Sequence, residues 1–194
     1  MSSALAPVAL IGGFTVAALT YPGGFDAAHG TISALAALGS PVRALMTTAL
    51  LVTGACHVVT ASSLRCPREP SRVILAVGGV ATLAVAAFPL PQVGSSAAHA
   101  AAAGVAFLAM SLWPGWIRAR SGDLPPVLRP RVTTSVAAVL TVMALSFFVL
   151  VAGSTTLPIG ALERVLAGAQ AVVPLLVVVA LLTGVSRRRR GAGR

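Results

Sequence analysis

Six long apolar segments alternate with shorter polar connections along the 194-residue chain. They cover about residues 4–20, 42–64, 73–90, 98–117, 132–153 and 159–185. An α-helix rises 1.5 Å per residue, so about 20 apolar residues cross the roughly 30 Å hydrocarbon core of a bilayer. The pattern predicts an all-α integral membrane protein. It would have a six-transmembrane-helix bundle as a single domain over residues 1–186 and a basic tail over residues 187–194.

Composition favours the same class and excludes most others. Hydrophobic residues make up 57% of the chain, charged residues only 9%, and the mean hydropathy is +0.94. Soluble domains carry about 25% charged residues, so this chain could not cover a water-facing surface. A soluble enzyme, a secreted disulfide scaffold and a disordered chain are therefore excluded. We expect a multi-pass protein of the cell membrane whose immediate partners are membrane lipids.

The formal net charge of +10 is explained by topology rather than by a nucleic-acid partner, and we expect no such partner. All fourteen basic residues are arginines, and twelve of them fall in the second and fourth connections and in the tail. Only Arg43 and Arg164 fall on the other side of a six-span chain. Cytoplasmic connections retain positive residues, so the split predicts that both termini are cytoplasmic.

Ionisable residues from four parts of the chain are predicted to lie at the outer end of the bundle. They are Asp26, His29, Arg43, His99, Glu163 and Arg164. Two interpretations remain open. The groups are helix-end anchors in contact with water, or they converge on a polar pocket, because ionisable groups at membrane depth usually face an interior or a cavity.

Two further polar positions lie inside the spans. Gln170 follows Glu163 by seven residues, or two helical turns, so both share one face of the sixth span and that face should point inward. His57 lies within the second span and shares a face with Thr53 and Thr60. It is either a histidine that forms hydrogen bonds between helices or a contact for a substrate or a proton.

Familiar cofactor and metal patterns are missing from the sequence. The three histidines show no HxxH or ExxH spacing, so we expect no metal and no cofactor. A serine–histidine–aspartate triad stays open because Ser33, Ser95 and Ser96 lie near the outer cluster. No nucleophile-elbow sequence surrounds any of them.

Four short segments resemble the domain-of-unknown-function 998 family, which comprises bacterial membrane proteins usually drawn with six spans. They are His29–Pro41 with its Ile32-Ser33 pair, Phe88-Pro89, His99, and Gly160-Ala161-Leu162-Glu163-Arg164. This chain has Ala34 where many relatives carry an acidic residue. The family has no established activity. The resemblance therefore implies an architecture and marks His99, Glu163 and Arg164 as positions to test.

Two classes of function follow as hypotheses. In the first, an outward-facing polar pocket acts on a lipid-like or prenyl substrate, with acid-initiated terpene cyclisation as one concrete form. Glu163, Asp26 and His99 would then be catalytic, and the substrate-binding residues would be His29, Arg164, Gln170 and His57. In the second, the chain is a non-enzymatic membrane accessory, carrier or lipid-binding protein, working as a homo-oligomer or with a membrane-protein partner. Whether the chain is an enzyme is left open.

Overall fold

A computed structural model describes residues 1–64, 69–118, 125–153 and 156–192, and this part of the chain is all-helical. The α-helices are α1 (Ser2–Leu19), α2 (Ile32–Leu35), α3 (Arg43–Ser63), α4 (Glu69–Ala87), α5 (Ala97–Leu112), α6 (Pro130–Ala152) and α7 (Ile159–Ala192). Two 3₁₀ turns follow α5 and precede α6, at Trp113–Trp116 and Pro126–Leu128. Among the described residues, six helices, all except α2, are long and apolar enough to cross a membrane. The predicted six-helix membrane bundle is confirmed.

Two of the differences between the helix ends and the predicted spans concern charged segments. Helix α4 begins at Glu69 rather than at residue 73, because an acidic residue in the first turn favours the positive end of the helix dipole. Helix α7 continues to Ala192, so most of the basic tail prolongs the last span. The sequence also gave no sign of α2. This single turn is capped by Thr31, whose hydroxyl accepts a hydrogen bond from the Ala34 N–H at 3.1 Å.

Consecutive long helices run in alternating directions, and hydrogen bonds tie their ends together. At one end, the Ser2 and Thr60 hydroxyls lie 2.9 Å apart, and Arg72 donates to the Ala61 carbonyl at 2.9 Å. The opposite end carries the connections 20–42 and 88–96 and the start of α7. We refer to it as the predicted outer end, since its orientation in the membrane rests on the arginine distribution alone. Four of the arginines in that count, Arg65, Arg68, Arg120 and Arg194, lie outside the described residues.

Small residues set the spacing between helices. A Cβ added to Gly54 of α3 would lie 2.7 Å from the Gly79 carbonyl oxygen of α4, and one added to Gly79 would lie 2.8 Å from the Gly54 oxygen. Lipid tails are as apolar as the helices, so close backbone approach of this kind holds membrane helices together. Helices α1, α3, α4, α5 and α7 enclose the interior of the bundle. Helix α6 packs on the outside of α5 and α7.

Candidate functional site

A cavity of about 70 Å³ lies inside the bundle, between α1, α3, α4, α5 and α7, with α2 contributing at the predicted outer end. Its wall is mostly apolar, with Leu10, Leu50, Val85 and Phe107 among the lining residues. Six polar side chains also line it: Ser33, Thr53, His57, Thr82, Glu163 and Gln170. The cavity therefore combines an apolar wall with a few polar groups, as ligand sites commonly do.

Glu163 is the acidic residue of this wall, and its side chain is buried, with 3% of the residue exposed. Its Oε2 accepts a hydrogen bond from the Ile32 N–H at 2.5 Å. Ser33, the next residue of α2, lines the same cavity. The first N–H groups of any helix have no partner within the helix, and Glu163 supplies that partner for α2. The backbone of the connection 20–42 thus holds the Glu163 carboxyl at the predicted outer end of the cavity.

Arg164 binds the same connection, but it donates to backbone carbonyls where Glu163 accepts from a backbone N–H. Its Nη1 donates to the carbonyls of Ala27 at 2.8 Å, Gly30 at 2.7 Å and Gly160 at 2.9 Å. The guanidinium also lies over the rings of Phe14 and Phe25, at 5.7 and 5.6 Å from their centres. Glu163 therefore accepts an N–H group of the connection 20–42, and Arg164 donates to its carbonyls. Together they fix this connection on the start of α7.

Close backbone contact accompanies these side-chain bonds. The Ala161 N–H donates to the Ala28 carbonyl at 2.9 Å. A Cβ on Gly160 would overlap the carbonyl oxygen of Gly30. A glycine at position 160 is required here because the connection rests directly on the backbone of α7.

The structure does not bring Asp26 and His29 to the cavity, so for these two residues the alternative of water-exposed groups describes the structure better than convergence with Glu163. Their side chains are 65% and 55% exposed, and Asp26 Oδ2 lies 2.7 Å from His29 Nδ1. Asp26 Oδ1 accepts the backbone N–H groups of Ala28 and His29, at 3.0 and 3.3 Å. The hydrogen bond from the His29 side chain, with those from the two N–H groups, holds the pKa of Asp26 below its ordinary value. The Asp26 carboxylate thus accepts hydrogen bonds from the backbone of its own turn, as short acidic side chains often do.

His99 lies next to the cavity rather than in its wall, and it is 5% exposed. Its Nδ1 lies 2.8 Å from the Phe88 carbonyl oxygen, and its Nε2 lies 3.0 Å from the Ser33 hydroxyl. His99 thus bonds Ser33, the residue that follows the Ile32 whose N–H binds Glu163. The sequence indicated only that Ser33 lies near the outer ionisable residues. Its membership of the Ile32-Ser33 pair of the family resemblance was the one signal that marked it.

His57 and Gln170 form a second polar region, deeper in the cavity. His57 is 2% exposed, and its Nδ1 has no hydrogen-bond partner among the described residues. Gln170 Nε2 donates to the Phe107 carbonyl and to the Ser111 hydroxyl, both at 2.9 Å. Pro174 lies four residues after Gln170 and has no N–H, so the Gln170 backbone carbonyl lacks its usual helical partner. His57 thus has unused hydrogen-bonding capacity inside an apolar bundle.

Metal binding has no support in this geometry. Within the described part of the chain, no group of three His, Cys, Asp or Glu residues lies close enough to hold a metal ion.

The four segments that carry the family resemblance meet at this one site. The Ile32 N–H bonds Glu163, His99 bonds both Ser33 and the Phe88 carbonyl, and Arg164 binds the connection that leads into α2. Segments far apart in sequence therefore form one hydrogen-bonded unit above the cavity.

Comparison with known families gives one match. The family model described as "Protein of unknown function (DUF998)" matches residues 4–180, which extend from the first membrane helix into the last. The comparisons with curated proteins and with solved structures each found no match. Because the matched region covers most of the chain and includes part or all of each of the six membrane helices, the chain belongs to the DUF998 family.

Proposed function

We propose that this chain binds a lipid-like molecule in the cavity beneath the connection 20–42, within the cell membrane. The observation that carries the proposal is a buried carboxyl, Glu163, on the wall of an otherwise largely apolar cavity in a membrane bundle. Polar groups at membrane depth are costly and usually face a cavity or an interior partner. An apolar ligand with one polar group would enter such a site from the bilayer.

The dimensions of the cavity favour an extended chain. Its lining extends from Leu50 to His57 on α3 and from Glu163 to Ala171 on α7. Each stretch covers about 10 to 12 Å along its helix axis. A single hydrocarbon chain lying along the helices would follow this lining.

Polar groups at the two ends of the space indicate where the ligand would be held. Near the predicted outer end, Glu163 and Ser33 can bond a head group. At the deeper end, the free Nδ1 of His57 can bond a second polar atom or a water molecule. A buried polar atom without a partner costs roughly 1–3 kcal/mol, so a ligand or water that bonds His57 would be favoured by about that amount.

Acid-initiated cyclisation of a prenyl chain is the enzymatic form of this proposal. Glu163 is the acidic group among the lining residues, so it would be the proton donor, and the exposed Asp26 would not take part. Cyclisation requires the chain to fold back on itself, whereas the cavity lining follows the helix axes. We therefore place the binding of an extended chain ahead of cyclisation. Incubation with a prenyl alcohol and analysis for cyclic products tests the enzymatic form directly.

Photo-crosslinking tests the binding proposal. The full chain in lipid nanodiscs would be irradiated with a fatty alcohol that carries a diazirine in its chain, and labelled peptides would be identified by mass spectrometry. Labelling should fall on α5 and α7 and should decrease about tenfold in Ala171→Leu, which fills the cavity. Ala100→Leu, on an exposed face of α5, is the matched control.

A second pair of variants tests the head-group contact. Glu163→Gln should weaken labelling, whereas Glu69→Gln, at the other glutamate of the chain, should leave it unchanged. Labelling that is equal in wild type and Ala171→Leu would exclude the cavity as the binding site.

A further inference from the structure

Besides Ser33 and Glu163, four polar side chains on three helices line the cavity: Thr53, His57, Thr82 and Gln170. The two threonines have already used their hydroxyl protons. Thr53 Oγ1 donates to the Ala49 carbonyl at 2.7 Å, and Thr82 Oγ1 donates to the Gly78 carbonyl at 2.8 Å. A hydroxyl has one proton and two lone pairs, so either oxygen can then only accept a further hydrogen bond.

Gln170 has used its donors in the same way. Its Nε2 donates to the Phe107 carbonyl and to the Ser111 hydroxyl, both at 2.9 Å. A side-chain amide has two N–H donors, so only the amide oxygen could take part in another hydrogen bond. Thr53, Thr82 and Gln170 therefore offer acceptors, and no donors, to a molecule in the cavity.

His57 lies at about the same depth as Gln170. A Cβ added to Gly79 would lie 3.0 Å from the His57 Cβ, and one added to Gly78 would lie 2.7 Å from the Met110 sulfur. The residue after Met110 is the serine that accepts from Gln170. The two adjacent glycines of α4 thus place the two side chains at one level.

The threonines are close to this level. Thr53 precedes His57 by four residues on α3, and Thr82 follows Gly79 by three residues on α4. Residues with this spacing are neighbours on one face of a helix. The His57 imidazole is therefore surrounded by acceptors, and yet its Nδ1 has no hydrogen-bond partner among the described residues, although only 2% of the residue is exposed. A buried nitrogen without a partner in a cavity wall indicates a group that a ligand would supply.

We propose that this deeper part of the cavity binds a hydroxyl group, so that the ligand is a hydroxylated chain rather than a plain hydrocarbon tail. A hydroxyl both donates and accepts, so it can bond His57 Nδ1 whichever ring nitrogen carries the proton. An ether or carbonyl oxygen can only accept, and it would face the acceptor oxygens of Thr53 and Thr82. An ammonium group would bring a charge to membrane depth, which is costly.

The spacing along α7 gives the position of that hydroxyl. Glu163 and Gln170 are two helical turns apart, or about 10 Å along the axis. A ligand whose head group binds Glu163 would therefore carry the second hydroxyl about 10 Å further along its chain. The inference deepens the proposed function and rests on it, since it requires a ligand in the cavity. A water molecule at His57 would satisfy the same nitrogen without selecting the ligand.

Competition against the photo-crosslinking alcohol tests the inference, with the full chain in lipid nanodiscs. The first pair of competitors is an octanediol with a hydroxyl at each end and nonanol, in which a methyl group replaces the second hydroxyl. At equal concentration in the bilayer, the diol should compete about tenfold better, the factor for one buried hydrogen bond. The second pair is the monomethyl ether of that diol and decanol, in which a methylene replaces the ether oxygen. The ether should gain clearly less over decanol than the diol gains over nonanol.

Two variants locate the effect. In His57→Leu, nonanol should still compete, but the advantage of the diol should fall to within about twofold. Partition of the competitors into the bilayer is the same for both proteins, so it cancels in this comparison. Thr47→Val is the matched control, because it removes a hydroxyl of α3 that has no partner and is not among the lining residues. The advantage of the diol should persist in this variant.

Three results would each overturn the inference: equal competition by diol and nonanol in wild type, an ether gain as large as the diol gain, and a diol advantage that survives in His57→Leu. Water would then be the partner of His57, and the proposed function would stand as long as the alcohols reduce labelling of the cavity. If no alcohol reduces it, the proposed function fails as well. Both wild-type comparisons are independent of the folding of any variant.

Discussion

Replacing Arg164 tests how much this one side chain contributes to holding the connection 20–42 on the bundle. Arg164→Met removes the guanidinium but keeps an unbranched apolar stem. The Ala27 and Gly30 carbonyls then lose their charged donor, and the contacts with the rings of Phe14 and Phe25 are lost as well.

The expected magnitude follows from these contacts. A buried hydrogen bond to a charged group contributes about 1.5–3 kcal/mol. Both carbonyls belong to half-buried residues that water can reach in part, so about 1 kcal/mol each is a suitable value. Each contact with a ring adds about 0.5 kcal/mol. The connection should therefore open more easily by about 3 kcal/mol, which corresponds to roughly a hundredfold in the opening equilibrium.

Amide hydrogen exchange measures this opening. Exchange of the peptides that cover residues 26–35 should accelerate by roughly a hundredfold in Arg164→Met, while the middle of α3 and of α4 should keep its protection. Arg43→Met removes an exposed arginine at the same end of the bundle and serves as the control. An acceleration below about threefold in Arg164→Met, or an equal acceleration in both variants, would refute the view that Arg164 holds the connection.

Three further predictions address the fit, the pH response and the orientation of this end of the bundle. Gly160→Ala places a Cβ against the backbone of the connection and should lower the free energy of unfolding by about 1–3 kcal/mol, which a lower melting temperature would show. Gly12→Ala is the control, because its Cβ would have no atom within 4 Å and should not lower the melting temperature. Equal melting of the two variants would contradict the close contact. The pKa of Asp26 is lowered on folding from its ordinary 3.8, so its stabilising effect is present above that value and is lost as the pH falls through the lowered pKa. After correction for the intrinsic pH dependence of amide exchange, opening of the connection should therefore increase in wild type below about pH 4, and Asp26→Asn should flatten that increase; an unchanged profile would count against the interaction. Single cysteines at Gly94 and Gly122, in a cysteine-free background, should react with an impermeant thiol reagent from opposite sides of the membrane, and same-side labelling would contradict the six-span orientation.

The sequence alone determined the architecture, because the requirements for crossing a bilayer apply to each segment separately. Crossing a bilayer requires about 20 apolar residues whose backbone groups bond within the helix, so span length and polarity can be read without knowledge of any neighbour. The seven-residue spacing of Glu163 and Gln170 likewise predicts a shared inward face. Both side chains line the cavity.

Only the tertiary structure decided which of the outer ionisable groups belong together. Asp26 and Glu163 are both outer carboxylates in the sequence, yet one is exposed in a turn and the other is buried on the cavity wall. The difference arises from backbone partners far away in the chain, because Glu163 bonds an N–H group 131 positions earlier. The hydrogen bond between Ser33 and His99 likewise joins residues that are 66 positions apart in the chain. Helical periodicity specifies the face on which a residue lies, but the path of a connection depends on contacts made only after the helices have assembled.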